Sequence, residues 1–324
     1  MERGTARPAV TQPLKPAPQA PSPYAVYNSL PGIREPHVRK SSEAITLLSE
    51  ATSAFRAGLA VDDDAVYLLT DEVAYRIVPG SDPERFPLTH GVAAAVTRSD
   101  FVYWSKGAVW RLPKNGDQAR RVTALDREPQ TFMASGNDFA WLTMIDRDQF
   151  RIQTHDGKKT RTLVSVTGRI ETATMDAGRV FFVERDTEAS WRIGSVSIRG
   201  GEPVYATSRG GQTPAKLAVA GDIYYYDVKS GELRELSRDL SRERTVTHDL
   251  ICSPVAVSVR IYCPNVEGMF EIARHSGAKI MPLFPSPARI TAVAASSKFL
   301  VWLNDAGPDR LSLKMIPLEL DDAN

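Results

Sequence analysis

The sequence has almost no net charge and no long apolar run. Its 40 basic and 39 acidic residues leave a formal charge of +1, so no overall field would attract a polyanion, and we expect no nucleic-acid partner. No apolar run approaches the roughly 18 residues of a membrane helix, which predicts that no segment spans a membrane. The first thirty residues also lack the apolar core of a secretory signal.

The sequence also lacks the common catalytic motifs. It contains no G-x-S-x-G nucleophile element, no H-E-x-x-H zinc element and no phosphate-binding P-loop. These absences remove the usual signatures of hydrolases, zinc enzymes and nucleotide-binding enzymes. We therefore expect binding rather than catalysis, and no cofactor.

Proline is concentrated at the N-terminus. Eight of the 22 prolines fall within residues 1–40, together with six basic and two acidic residues. This composition is typical of a solvated chain with polyproline character. We predict a disordered proline-rich tail over residues 1–42.

A unit of small apolar residues, a polar turn and an aliphatic–aromatic pair recurs seven times along the rest of the chain. Two copies are AVTRSDFVYW, from Ala95, and LAVAGDIYYY, from Leu217. The residues that follow the aliphatic position are Tyr67, Tyr103, Trp141, Phe181, Tyr224, Tyr262 and Val301. They are 36 to 43 residues apart, close to the roughly 40 of a four-stranded propeller blade. The repeat predicts an all-β fold, a seven-bladed β-propeller of four-stranded blades.

The last repeat supplies only three strands. It ends with RLSLKMIPL and has no outer strand, whereas the segment AITLLSE at residues 44–50 reads as an outer strand without a hairpin of its own. An unpaired blade edge would expose backbone donors and acceptors. We therefore predict that this N-terminal strand pairs with the C-terminal blade and closes the ring. The propeller would cover residues 43–319, followed by a tail at 320–324.

Two stretches carry a resemblance to a known group. The strings FVYWSKGAVWRLPKNGD (Phe101–Asp117) and LAVAGDIYYYDVKSGELREL (Leu217–Leu236) resemble repeats of TolB-like and YWTD-like bacterial β-propellers. The YWTD receptors have six blades with a strict Tyr-Trp-Thr-Asp element, whereas this chain has seven repeats and only Tyr103-Trp104-Ser105 approaches that element. The resemblance implies a binding role in the cell envelope or outside the cell, without indicating a ligand.

Two histidines and three arginines are candidate ligand-binding residues. His90 and His248 directly follow predicted fourth strands, on loops that lead toward the central channel. They are either exposed loop residues or ligands at the channel mouth, although they belong to distant blades and we expect no metal. Arg127, Arg169 and Arg209 lie in loops nearer the channel and could hold an anionic small ligand through charge-assisted hydrogen bonds.

The loops between second and third strands are rich in acid. They hold eleven acidic and four basic residues, and Asp146, Glu184 and Asp186 are among the acids. If these loops form one rim, its field would attract a cationic protein or peptide. The alternative is that they are merely polar, as surface loops usually are.

The chain has two cysteines, Cys252 and Cys263, both in the sixth hairpin. They stand equally far from a turn around Val257 and Ser258, so antiparallel pairing would bring them opposite each other. A disulfide there requires a closer approach than most cross-strand pairs make. A bridged pair would indicate a periplasmic or extracellular protein, whereas a reduced pair would be buried and would fit the cytoplasm.

Together these features favour a non-catalytic binding or scaffolding propeller of the cell envelope. We expect a monomer with a protein or peptide partner. The alternative is a lyase or hydrolase whose site lies at the channel mouth, around His90, His248 and the arginines. A third possibility is a cytoplasmic regulatory protein tethered by its tail.

Overall fold

A computed structural model describes most of the chain beyond the N-terminal segment. The described residues are 45–51, 58–70, 73–87, 92–185, 189–248, 250–257, 260–265, 268–273, 280–285, 289–305 and 310–318. The predicted tails at 1–42 and 320–324 lie outside them and remain predictions. All regular structure in the described part of the chain is β-strand, in agreement with the expected all-β class.

The strands form seven antiparallel sheets, numbered here as blades 1 to 7 in chain order. First strands are β2 (Gly58–Val61), β6 (Val92–Val96), β10 (Thr131–Ser135), β14 (Arg169–Asp176), β19 (Leu217–Ala220), β23 (Val255–Val257) and β27 (Ile290–Ala295). Second strands are β3 (Val66–Leu69), β7 (Asp100–Ser105), β11 (Asp138–Asp146), β15 (Arg179–Arg185), β20 (Asp222–Asp227), β24 (Arg260–Pro264) and β28 (Phe299–Asp305).

The outer half of each blade follows the same order. Third strands are β4 (Val73–Ile77), β8 (Ala108–Pro113), β12 (Gln149–His155), β16 (Ser190–Ser197), β21 (Glu232–Leu236), β25 (Gly268–Ala273) and β29 (Arg310–Pro317). Fourth strands are β5 (Glu84–Pro87), β9 (Arg120–Ala124), β13 (Thr160–Thr167), β17 (Val204–Tyr205) with β18 (Arg209–Gly210), β22 (Glu243–His248), β26 (Ile280–Pro285) and β1 (Ile45–Ala51).

The first strands form a closed inner ring. Each contacts the first strands of both neighbouring blades, and β2 of blade 1 contacts β27 of blade 7. The architecture is therefore a seven-bladed β-propeller, and the prediction from the repeat is confirmed.

The second strands form the core because each blade packs between two others. In β15 all five central residues are buried, which explains why the first four of them, Val180 to Val183, are continuously apolar rather than alternating. The seven repeat positions are each at most 2% exposed: Tyr67, Tyr103, Trp141, Phe181, Tyr224, Tyr262 and Val301. Burial on both faces therefore selects the large residue at this position.

Blade 7 is closed by the N-terminal strand, as predicted. β1 pairs antiparallel with β29, so that Thr46 lies opposite Lys314 and Ala51 opposite Arg310. Leu47 packs against the buried cluster between blades 1 and 7, which includes Val66 and Leu313. The two ends of the folded chain thus share one sheet.

The fourth strand of blade 4 is interrupted, whereas the repeat predicts one continuous outer strand in each blade. It is divided into β17 and β18. Tyr205 pairs with Gly194 and Arg209 with Trp191, so the outer strand uses one more residue than its partner over this interval. The extra residue is a β-bulge, which bends the edge and re-aims the side chains that follow it.

The lower face, defined by the turns between first and second strands, joins the blades to one another. Hydrogen bonds or ion pairs cross five consecutive interfaces: Ser297 N to Asp63 Oδ1 (3.1 Å), Lys114 Nζ to Asp62 Oδ2 (2.8 Å), Arg98 N to Gly136 O (2.6 Å), Ala177 N to Ser135 Oγ (3.0 Å) and Arg238 Nη1 to Asp176 Oδ2 (2.5 Å). These contacts hold neighbouring blades together on this face.

We predict that a charge on the inner side of β1 breaks the closure. Leu47→Asp should lower the free energy of unfolding by at least about 2 kcal/mol, because a carboxylate would enter the apolar cluster between blades 1 and 7. Thr46→Asp is the matched control, since Thr46 is exposed on the same strand. Urea unfolding followed by tryptophan fluorescence measures both. Equal effects of the two substitutions would contradict the closure.

We also predict an acid-sensitive contact between blades 1 and 2. Burial alone would raise the pKa of the Asp62 carboxyl, but hydrogen bonds from Lys114, Tyr67 and two backbone N–H groups outweigh it and lower the pKa to about 2. A lowered folded-state pKa stabilises the fold above the unfolded pKa, near 4, and this contribution is lost as the pH falls toward 2. Because Asp62 is partly exposed, we expect only about 1 kcal/mol at neutral pH.

The test is Asp62→Asn with Asp64→Asn as control, because Asp64 is exposed and its carboxyl has no hydrogen bond within the described residues. Asp62→Asn should reduce stability at pH 7 and match the wild type at pH 2. A deficit that is the same at both pH values would show that the ionised carboxylate is not responsible.

Candidate functional site

The upper face is the opposite side of the ring, where first strands begin and second strands end. Arg169 begins β14 there, and Asp146 and Asp227 end β11 and β20. The loops that lead into each blade also lie on this face. All the ligand-binding candidates of the sequence analysis were expected here.

The two candidate histidines do not form a described site. His90 lies outside the described residues. His248 ends β22, the outermost strand of blade 5, and its exposed ring places Nδ1 3.2 Å from Glu232 Oε1. It therefore lies at the periphery of the blade and away from the channel. Within the part of the chain that the structure describes, no group of three or more His, Cys, Asp or Glu side chains could hold a metal ion.

Arg127 and Arg169 lie in different blades. Arg127 is exposed in the loop that enters blade 3. Arg169 Nε is 3.3 Å from Glu171 Oε2, and Arg185 Nε is 3.1 Å from the other oxygen of the same carboxylate. Glu171 thus already provides the anion for the blade 4 arginines.

Arg209 links blade 4 to blade 5. Its Nη2 is 2.6 Å from Glu243 Oε1, and its guanidinium lies 5.7 Å from the centre of the Tyr225 ring. The Tyr225 hydroxyl also donates to Glu243, and Arg234 Nη1 is 3.1 Å from Glu243 Oε2. Burial, and then the hydrogen bond to Glu243, raises the pKa of the Tyr225 hydroxyl. These contacts form a partly buried network around Glu243. The guanidinium of Arg209, which the sequence analysis places at the channel mouth, is paired within this network.

Glu184 differs from its expected place on an acidic rim. It is 4% exposed, and Arg192 Nη2 lies 3.2 Å from its Oε1. The physical reason is that β15 continues to Arg185, so that Glu184 pairs with Arg192 of β16 rather than entering a loop. Its carboxylate is neutralised inside the blade and cannot contribute a free field.

Three further acids counted on the rim are Asp146, Asp227 and Asp186. Asp146 is exposed at the end of β11, as expected of a rim residue. Asp227 is partly buried, with Oδ2 3.4 Å from Arg234 Nε. Asp186 lies outside the described residues. Among the described rim acids, Glu184 and Asp227 are therefore paired with arginines of their own blades.

A pocket of about 230 Å³ opens on the upper face between blades 5, 6 and 7. Lys216 and Arg289 each directly precede a first strand, β19 and β27, and both line it. The sequence analysis missed Lys216 because it considered arginine and histidine in these loops. The sequence signal that could have identified Lys216 is its position as a basic residue immediately before an innermost strand.

A disulfide joins Cys252 and Cys263 beside this pocket. Their Cα atoms are 5.0 Å apart, and both side chains are buried. The register differs from the symmetric arrangement expected, because Val257 pairs with Arg260 and Val255 with Tyr262. Cys252 therefore precedes β23 in the loop from blade 5, and the bond ties that loop to β24. The next residues, Ser253 and Pro264, line the pocket.

Helices long and apolar enough to cross a membrane are not found among the described residues.

Comparisons with known proteins identify the fold. No family model matches the chain, and no curated protein matches it. Among solved structures, the chain is similar to the AfRom2 CNH domain, with 8% identity and a TM-score of 0.59 over 85% of this chain and 99% of that one.

Two further structures are similar at 10% identity. Oligogalacturonate lyase in complex with manganese has a TM-score of 0.61 over 86% of this chain and 93% of that one. A chain of the mitotic checkpoint complex has a TM-score of 0.62 over 96% and 99%. An enzyme and a member of a protein assembly are thus equally similar. At this identity the likeness shows the propeller fold alone.

Proposed function

We propose that the chain is a non-catalytic binding propeller that engages a protein partner through its upper face. The proposal rests chiefly on where the exposed apolar side chains lie. Of the four large exposed apolar residues in the described part of the chain, Met144 (41%), Val228 (42%) and Ile251 (72%) are on the upper face. Val204 (51%), at the start of a fourth strand, lies toward the lower face.

Val228 and Ile251 lie on neighbouring loops of blade 5. Val228 follows β20, and Ile251 follows β22. Glu232 and His248, which begin and end the adjacent strands, are directly paired, so the two loops leave the blade side by side. Apolar side chains grouped beside a polar rim are typical of protein-binding surfaces.

The placement of the exposed apolar side chains supports this choice. Both faces carry a pocket and contacts between blades, but three of the four exposed apolar side chains lie on the upper face. A rigid ring that presents loops from several blades can bind a partner with little ordering cost. A lyase or hydrolase site has no supporting cluster among the described residues.

The proposed compartment is the periplasm or the extracellular space, because a disulfide persists where thiols are not kept reduced. A kinship with the TolB-like and YWTD-like propellers fits that location. On this proposal residues 43–319 form the binding ring, and residues 1–42 form its tail.

The partner-binding face can be tested by paired surface substitutions. A variant with Val228→Ser and Ile251→Ser should recover at least tenfold less of any protein that the wild-type chain captures from native extract, as measured by quantitative mass spectrometry. Val204→Ser is the matched control on the opposite side and should behave as the wild type. Equal recovery by all three proteins would contradict binding through the upper face.

The disulfide makes a separate prediction about compartment and stability. Protein purified from its native source should carry no alkylating label on either cysteine until it is reduced. Cys252→Ser with Cys263→Ser should lower the free energy of unfolding by about 2 to 3 kcal/mol, as chain entropy predicts for a loop of this size. Full labelling of both cysteines before reduction would contradict the proposed oxidising compartment.

A further inference from the structure

The pocket between blades 5, 6 and 7 is built from the loops of three consecutive blades. Lys216 comes from the loop entering blade 5, Ser253 from the loop entering blade 6, and Arg289 from the loop entering blade 7. Pro264 and Asn265 come from the end of the second strand of blade 6. The disulfide fixes two of these segments, because Cys252 and Cys263 directly precede Ser253 and Pro264.

The pocket carries two positive charges that lack a described counterion. Neither Lys216 nor Arg289 forms an ion pair with any residue that the structure describes, whereas Arg169 is paired with Glu171 and Arg209 with Glu243. Desolvation also lowers the pKa of the Lys216 ammonium. A partly desolvated cation without a counterion gains from an incoming anion.

The walls of the pocket require that the anion carry an apolar part. Along the lining segment of blade 7, Arg289 and Thr291 are exposed, whereas Ile290 and Ala292 are partly buried and Val293 is 9% exposed. Ile290, Ala292 and Val293 therefore give the pocket an apolar part beside the exposed Arg289. The volume of about 230 Å³ is smaller than the roughly 300 to 1,000 Å³ of sites for drug-sized ligands. It suits one side chain or a small organic acid.

We propose that this pocket binds a carboxylate attached to a short aliphatic body, with Lys216 and Arg289 contacting the carboxylate. The carboxylate belongs either to a free small acid or to the C-terminus of a peptide. Only the peptide source rests on the protein-binding function proposed above. Ser253, Asn265 and Thr291 also line the pocket and offer polar side chains to the carboxylate.

The test uses the full-length chain and simple probes. Isovalerate and N-acetylglycyl-leucine are titrated against their uncharged amides, with inorganic phosphate as an anion without an apolar part, and methyl resonances of Ile290 and Val293 report binding. Each carboxylate should bind at least tenfold more tightly than its amide and than phosphate. Equal affinity for acid and amide, or for acid and phosphate, would overturn the proposal.

Substitutions test whether Lys216 and Arg289 contact the bound carboxylate. Lys216→Met and Arg289→Gln should each weaken binding of the carboxylates at least tenfold. Arg169→Gln is the matched control, because Arg169 begins a first strand on the same face but is paired with Glu171; it should leave affinity unchanged. Unfolding midpoints of all variants establish that they are folded. Unchanged affinity in both pocket variants would overturn the assignment.

The experiments distinguish a free acid from a peptide C-terminus, and they distinguish the carboxylate pocket from the protein-binding face proposed above. Tighter binding of the peptide acid than of isovalerate would identify a partner's C-terminus, and the reverse would identify a free acid. The variant with Val228→Ser and Ile251→Ser should still bind isovalerate. Retained isovalerate binding together with unchanged partner capture would refute the proposed protein-binding face while supporting the pocket.

Discussion

Pairing of the first strand with the last blade is the constraint on which the rest of the molecule depends. Without β1 the third strand of blade 7, β29, would expose its backbone edge, and β1 covers that edge as the fourth strand of the blade. Because Leu47 also packs into the cluster shared by blades 1 and 7, this strand stabilises both its own blade and the interface that closes the ring. Closure brings loops from blades distant in sequence onto one face, where a site can form.

The sequence was sufficient to predict the ring because the information is local and repeated. Each blade buries the same repeat position between two neighbouring sheets, and Trp141 and Tyr262 are two examples of this packing. The closing strand could be predicted for a different reason, since a strand without a hairpin and a blade without an edge satisfy each other. Both arguments use only strand pattern and backbone hydrogen bonding.

The candidate site could not be predicted to the same depth, because charge pairing is a tertiary property. Glu184 looked like a loop acid until one more residue of β15 placed it beside Arg192. Arg209 was displaced by a β-bulge and engaged by Glu243 of the next blade. Lys216 has no distinguishing neighbour in sequence, and its role depends on loops from two later blades. Residue type and spacing were therefore enough to predict that the candidate residues lie on the upper face. They did not show which charged side chains there are already paired.

The pocket lies beside the shortest of the innermost strands in the described part of the ring. In its central blade β23 has three described residues, whereas β14 in blade 4 has eight. A short ladder leaves the preceding loop poorly held by backbone hydrogen bonds, and the Cys252–Cys263 bond restrains that loop covalently instead. If β23 continued regularly to the upper face, strand residues would occupy the space of the pocket. The shortened strand leaves room for a ligand, and the disulfide keeps the wall of that space in place.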